Sequence, residues 1–255
     1  MHANASVDEI AAFLDRLLEA PRYEASEPGS NGLVYRSEAG PGVSKFAVAV
    51  NTSLATIVGA ARSGAQLLVV HHPSWPAIDL HLHEEKMALL REGGISLYAA
   101  HASLDCAPEF GNSAVLAGLL GIGVEGTFGA YHGGQAAVIG RAEGSFRALI
   151  QRAARELGVD VEAHEHAKTF GRVAVCAGAG GETAWLEEAR SLGADTYVTG
   201  EGSMFTRMFA RETGMNLLFG THHATEAPGI KALGERIALE AQIPFEFIAD
   251  SADVF

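Results

Sequence analysis

The sequence predicts an α/β fold: two similar α/β lobes with mostly parallel sheets. Three observations point to the fold class. Short, buried-looking apolar runs such as FAVAV (46–50), LLVV (67–70) and VAVCA (173–177) alternate with stretches of helical spacing. The 30 glycines mark frequent turns between short elements. A faint internal repeat also runs through the chain. AARSGAQLLVVHH (60–72) follows one apolar strand, and EARSLGADTYVTGE (188–201) follows another.

Taken in order, Ser6 and Glu9 form an S-x-x-E capping box, and Ile10, Phe13, Leu14, Leu17 and Leu18 repeat at helical spacing. A Gly/Ser/Pro-rich loop is expected over 21–44. KFAVAVN (45–51) reads as a strand, SLATIVGAARSGA (53–65) as a helix and LLVVHH (67–72) as a strand. HLHEEKMALLREG (81–93) is a helix, ISLYAAH (95–101) a strand and GNSAVLAGLLG (111–121) a helix ending at Gly121. VEGTFGAYHGG (124–134) reads as a connection between halves. It divides the chain into a first lobe over 1–125 and a second over 126–255, with the C-terminal helix able to pack back on the first. Beyond it come the strand GQAAVIG (134–140) and the helix SFRALIQRAARELG (145–158). The strand VAVCAG (173–178), the helix ETAWLEEARSLG (182–193) and the strand DTYVTGE (195–201) follow. The helix SMFTRMFARETG (203–214), the strand NLLFGTHH (216–223), the helix IKALGERIALEAQ (230–242) and the strand PFEFIAD (244–250) complete the chain.

Composition narrows the function. The net charge of −13, without Lys/Arg clusters, argues against nucleic acid or an anionic membrane as main partner. Cys106 and Cys176 are too few for a disulfide framework, which implies a reducing, cytoplasmic setting. The N-terminal segment has no basic or apolar region of signal-peptide type, and no apolar run has the length of a membrane span. No G-x-S-x-G serine-hydrolase motif occurs.

In an open α/β sheet, ligands collect beyond the carboxyl ends of the strands. The polar residues there are His71 and His72, His101 and Asp105, Glu201, and His222, His223 and Glu226. Imidazoles and carboxylates are the donors that Zn, Fe or Mn accept. Adjacent side chains on a strand diverge, so His71 and His72 are expected to serve two ions, one each. His101 and Asp105 in HASLD are four apart, as are His222 and Glu226 in HHATE. Such a set suits a two-metal site for hydrolysis. His81 and His83 are expected on a solvated helix face, and His164 and His166 in an exposed turn or edge strand. His2, near the terminus, carries no signal. CAGAGGE (176–182) follows a strand and opens a helix, but lacks the third glycine of a dinucleotide fingerprint. A tight turn is preferred there over a phosphate cradle.

HHPSW (71–75), YAAHASLDCAPEFGNSAVLAGLLGI (98–122), DTYVTGEGSMF (195–205) and GTHHATEAPGIKALGERIALE (220–240) together resemble the Nif-three-like dinuclear metal centre hexameric family. Its members are often labelled GTP cyclohydrolase 1 type 2 homologues. The resemblance runs from about residue 45 to the C-terminus. It implies a two-lobed subunit in a ring-shaped homohexamer, with a metal site in the cleft between the lobes: two divalent metal ions per subunit (Zn, Fe or Mn) held by His71, His72, Asp105, His222 and Glu226. His101 matches a histidine near the metals, His223 a position behind the ligands, and Glu201 a polar position lining the cleft. The expected activity is that of a divalent-metal-dependent hydrolase acting on a nucleotide or related small molecule, with His101 or Glu201 carrying the proton. The alternatives are a metal-binding or metal-delivery protein and a phosphoesterase using the same ions. Two departures stand out. Asn51 occupies a position where the family often has Asp, and SNGLVY (30–35) is a reduced form of the family's N-terminal segment.

Overall fold

A computed structural model of the chain describes residues 5–250; His2 lies outside them. The elements, in order, are β1 (Ala5–Ser6), α1 (Val7–Leu17), α2 (Ala20–Glu24), β2 (Asn31–Tyr35), β3 (Gly42–Val43) and β4 (Phe46–Asn51). Next are α3 (Leu54–Ser63), β5 (Leu67–His72), α4 (Pro76–Asp79), α5 (Leu82–Glu92), β6 (Ser96–Ala100), α6 (Ala102–Asp105) and α7 (Asn112–Leu119). Then come β7 (Gly123–Tyr131), β8 (Gly134–Arg141), α8 (Phe146–Leu157), β9 (Glu162–His164), β10 (Arg172–Cys176), α9 (Thr183–Ser191) and β11 (Thr196–Thr199). Last are α10 (Met204–Thr213), β12 (Asn216–Phe219), α11 (His222–Ala241) and β13 (Phe245–Phe247). They form two compact units. One contains the chain up to Leu104 and again from Ile230, and the other contains Asp105–Gly229.

In the first unit a five-stranded sheet has the order β13-β4-β5-β6-β2. All its pairings are parallel except β2 against β6. Ala47, Ala49, Leu68, Val70, Leu97 and Ala99 fall on one face by the period of two, and pack with Ile57 and Ala60 of α3 and Leu90 of α5. Covered strands read as unbroken apolar runs, which is why they were legible. The ladder ends at His72, paired across from Asn51.

The second unit has a six-stranded mixed sheet, β7-β8-β10-β11-β12-β9. Its parallel centre, β10-β11-β12, is flanked by antiparallel pairs. Both faces are covered. Ala174, Cys176, Tyr197, Leu217 and Phe219 pack with Leu186 and Ala189 of α9 and Ala210 of α10. Val173, Val175, Val198 and Leu218 meet Leu116 of α7 and Phe146, Leu149 and Ala153 of α8. Each unit thus contains a strand–helix–strand with adjacent parallel strands, β4-α3-β5 and β10-α9-β11, which is the level at which the internal repeat holds.

Three segments differ most from the sequence reading. The expected 21–44 loop contains α2, β2 and β3, and β2 completes the first sheet. Its five residues include a glycine and a register shift, too short and irregular for a visible period. The 124–134 connection is mostly the strand β7, hairpinned to β8; its glycines and a bulge between Val124 and Gly126 hide the alternation. The strand expected over 216–223 stops at Phe219, and His222 opens a single helix that runs through Pro228 to Ala241.

The Ser6 capping box is formed. The Ser6 hydroxyl accepts from the Glu9 N–H at 3.2 Å, and the Glu9 carboxylate accepts from the Ser6 N–H at 2.8 Å. Ser6→Ala is expected to cost about 1 kcal/mol, read as a lower denaturant midpoint at unchanged slope. An unchanged midpoint would show that α1 does not depend on this cap.

Candidate metal centre

In the first unit, β5 delivers His71 and His72, and the end of β6 delivers His101. The ring nitrogens of these three histidines lie within 4.8 Å of one another. The rings of His71 and His72 are 4.5 Å apart and that of His101 is 5.0 and 5.4 Å from them. The pleat therefore does not drive the two strand residues apart as expected; at the open end of β5 both rings turn towards His101. His71 is buried, and the other two are half-buried. Trp75 closes one side, its ring 5.1 Å from that of His101, with its indole N–H on Ser30 Oγ at 2.9 Å.

Each ring is held through Nδ1. His71 Nδ1 donates to the Ala100 carbonyl at 2.8 Å, His72 Nδ1 to Asn51 Oδ1 at 2.7 Å, and His101 Nδ1 to the Glu27 carboxylate at 2.8 Å. A carbonyl or carboxylate oxygen only accepts, so Nδ1 carries the proton and Nε2 is the basic nitrogen. Metal-binding histidines are oriented in this way, by a hydrogen bond from the other ring nitrogen. The turn after β6 is braced by the short 30–35 segment. Asn31 Oδ1 accepts from the Ser103 N–H at 2.9 Å, and the Ser30 carbonyl accepts from the His101 N–H at 3.2 Å.

In the second unit the same pattern recurs. His222 Nδ1 donates to Glu201 Oε1 at 3.0 Å, and its Nε2 faces Glu226 Oε1, also at 3.0 Å. The i,i+4 spacing on α11 sets the second contact. Burial works against charge on His222, but the Glu226 and Glu201 carboxylates outweigh it and push its pKa up to about 9. Binding of a divalent ion by this pair is therefore coupled to proton release. Gly178, just after β10, makes room for both side chains. A Cβ there would lie 2.1 Å from Glu226 Oε1 and 3.1 Å from His222 Nε2. Asp105 accepts from Asn112 Nδ2 at 2.8 Å. Cys176 is no thiolate ligand: burial, together with the Asp105 and Glu226 carboxylates, pushes its thiol up, so it stays neutral.

A cavity of about 600 Å³ opens where α9 and α10 begin, lined by Gly181, Glu182, Thr183, Glu201, Gly202 and Phe205. Glu201 thus faces both this cavity and His222. The glycine run of 176–182 is a strand-to-helix turn: Gly178 adopts φ +69°, and Gly181 bridges to Gly202. Of the outlying histidines, His83 is not simply solvated, since its Nδ1 lies 2.9 Å from Ser74 Oγ. His164 sits on the edge strand β9, beside Glu162.

The imidazole-carboxylate set fits a divalent cation. Four imidazoles are anchored through Nδ1, three of them are clustered, and a glycine keeps space for a buried carboxylate. Sequence reasoning did not find Glu27, Ala100 or Gly178. Glu27 lay in a presumed loop, the Ala100 carbonyl is invisible to side-chain patterns, and Gly178 was one of several glycines in a turn.

Comparison with known proteins identifies the family and the fold. The family model described as Duf34/NIF3 (NGG1p interacting factor 3) matches residues 5–253. The chain is 36% identical over 258 residues to a "GTP cyclohydrolase 1 type 2 homolog" of Halobacterium salinarum, covering 95% of this chain and 96% of the relative. It is 32% identical over 258 residues to a protein of the same name from Deinococcus radiodurans, covering 94% and 92%. Among solved structures it is similar to the protein ybgI, described as of unknown function, with a TM-score of 0.84 and 28% identity over 96% of this chain and 98% of that one. It is also similar to the protein TTHA1606 from Thermus thermophilus, with a TM-score of 0.77 and 25% identity over 98% and 100%.

Proposed function

Since this chain belongs to the Duf34/NIF3 (NGG1p interacting factor 3) family, we propose that it is a divalent-metal-dependent hydrolase acting on a nucleotide or related small molecule. In this reading His71, His72, Asp105, His222 and Glu226 are the ligands of two ions, of Zn, Fe or Mn type. The observation that carries it is the shared anchoring of His71, His72, His101 and His222 through Nδ1. Histidines that merely fill a core have no reason to be anchored through the same nitrogen four times. The name shared by the curated relatives supports a nucleotide as substrate.

A divalent ion, when bound, supplies a Lewis acid and lowers the pKa of coordinated water towards neutrality. The chain's own residues supply the rest. His101 takes the proton of the attacking water at Nε2, while Glu27 on Nδ1 keeps the ring oriented and stabilises the imidazolium that forms. Glu201, on the cavity wall, positions His222 and stands as a second proton carrier. For a purine nucleotide the attack falls on the imidazole ring carbon. The same reading carries a cytoplasmic homohexamer. Among the described residues no helix is long and apolar enough to cross a membrane.

The test is to load the purified protein with Mn, Fe or Zn, then to assay ring opening of GTP and phosphate release from a panel of phosphoesters. Turnover that Glu226→Ala abolishes is expected. Phosphate release without ring opening would replace the cyclohydrolase reading with a phosphoesterase. Metal bound without turnover on either substrate class would make the chain a metal-delivery protein. Failure to bind metal would end all three readings.

A further inference from the structure

His72 differs from the other anchored histidines in its partner. Asn51, its cross-strand neighbour, is an amide, and an amide can face an imidazole with either its oxygen or its nitrogen. Taken alone, Asn51 therefore does not decide which nitrogen of His72 is basic. The deciding group comes from the far end of the described chain. Asn51 Nδ2 donates to Asp250 Oδ2 at 2.9 Å, and the other carboxylate oxygen of Asp250 accepts from Ser53 Oγ at 2.6 Å.

We infer that Asp250 is a positioning residue for His72, acting through Asn51. A carboxylate only accepts, so Asn51 must turn its NH₂ group to Asp250 and its oxygen to His72. The oxygen also only accepts, so His72 must hold its proton on Nδ1 and present Nε2. The acceptor-only character of one carboxylate is thus passed along two hydrogen bonds to fix a tautomer.

The fold delivers Asp250 by a definite route. β13 pairs in parallel with β4, Phe247 opposite Val48, and the Ile248 N–H continues the ladder to the Val48 carbonyl at 2.9 Å. Three residues on from each member of the Phe247–Val48 pair are Asp250 and Asn51. Gly59 of α3 leaves room for this path, since a Cβ there would lie 2.6 Å from Ile248 Cγ2. Ser53, which holds Asp250, is itself the N-cap of α3, and so ties the relay to a rigid element.

The consequence for metal binding rests on the proposed metal site, whereas the tautomer does not. The experiment therefore reads both: ¹⁵N chemical shifts of the His72 ring in zinc-free protein, and Zn²⁺ affinity by competition with a chromophoric chelator. Asp250→Ala is expected to give mixed His72 tautomers and about tenfold weaker zinc binding. The exchanged pair Asn51→Asp/Asp250→Asn restores an acceptor-only oxygen facing His72. It is expected to return a single Nδ1–H tautomer and zinc binding within a few-fold of the parent. An Asp250→Ala protein with a single Nδ1–H tautomer and parental zinc affinity overturns the relay. So does an exchanged pair that folds like the parent yet keeps mixed tautomers. If the parent binds no zinc, the metal reading fails, and the ¹⁵N shifts still decide whether Asp250 sets the tautomer.

Discussion

Chelator-treated protein is expected to melt at a distinctly lower temperature than protein given Mn²⁺ or Zn²⁺. At an ion concentration a hundred times the dissociation constant, linkage contributes about 2.7 kcal/mol, or roughly 5–11 °C for a chain of this size. The physical origin is the charge distribution of the donor set. In the second unit His222 stands between two carboxylates, and a cation neutralises what a single imidazolium otherwise offsets. In the first unit one nitrogen from each of three imidazoles converges within 4.8 Å of the others, so cationic charge on more than one ring is unfavourable, while coordination by neutral Nε2 atoms is not. His71→Ala should reduce the metal-induced rise. Differential scanning calorimetry with and without chelator measures it, and coincident midpoints would mean that no site is preformed.

Gly178→Ala is expected to weaken metal binding by about a hundredfold, the upper end of what disturbing a ligand's support costs. Two separate effects meet at this residue. Its φ of +69° is left-handed, which costs an L-residue about 1–2 kcal/mol. The added Cβ would also lie 2.1 Å from Glu226 Oε1. The backbone has little room to retreat. The Gly178 N–H is held by Thr225 Oγ1 at 2.9 Å, and its carbonyl accepts from the Gly200 N–H at 3.0 Å and Thr199 Oγ1 at 3.2 Å. The carboxylate of the buried Glu226 has to move instead. Gly64→Ala is the control: Gly64 is also left-handed, at φ +78°, but a Cβ there would meet nothing within 4 Å. It should lose about 1–2 kcal/mol of stability with unchanged metal affinity. Titration calorimetry on both variants separates the effects, and parental affinity in Gly178→Ala would show that Glu226 is not a ligand.

Much of the architecture was readable because covered parallel strands announce themselves. FAVAV, LLVV and VAVCA must be apolar on both faces, and helix starts such as Ser6–Glu9 and Ser53 carry side chains that satisfy free N–H groups. β2 and β7 were unreadable for the converse reason. One is short and shifted in register, the other glycine-rich and bulged, and their pairing depends on neighbours that no local pattern reveals.

The donor types were legible as well. Histidines and carboxylates at strand ends are costly to place without a use, and HH, HASLD and HHATE stand out by spacing alone. By itself the sequence determined the covered strands, the strongly periodic helices and which side chains offer lone pairs, because periodicity and residue chemistry are local properties. Only the tertiary structure decided which nitrogen each histidine offers, since that depends on what faces Nδ1. Glu27, Asn51, Ala100 and Glu201 come from other segments, and Asp250 from the stretch just after β13, 199 residues beyond Asn51. Hydrogen-bond direction is set by the partner across space, and a linear string of residues does not contain it.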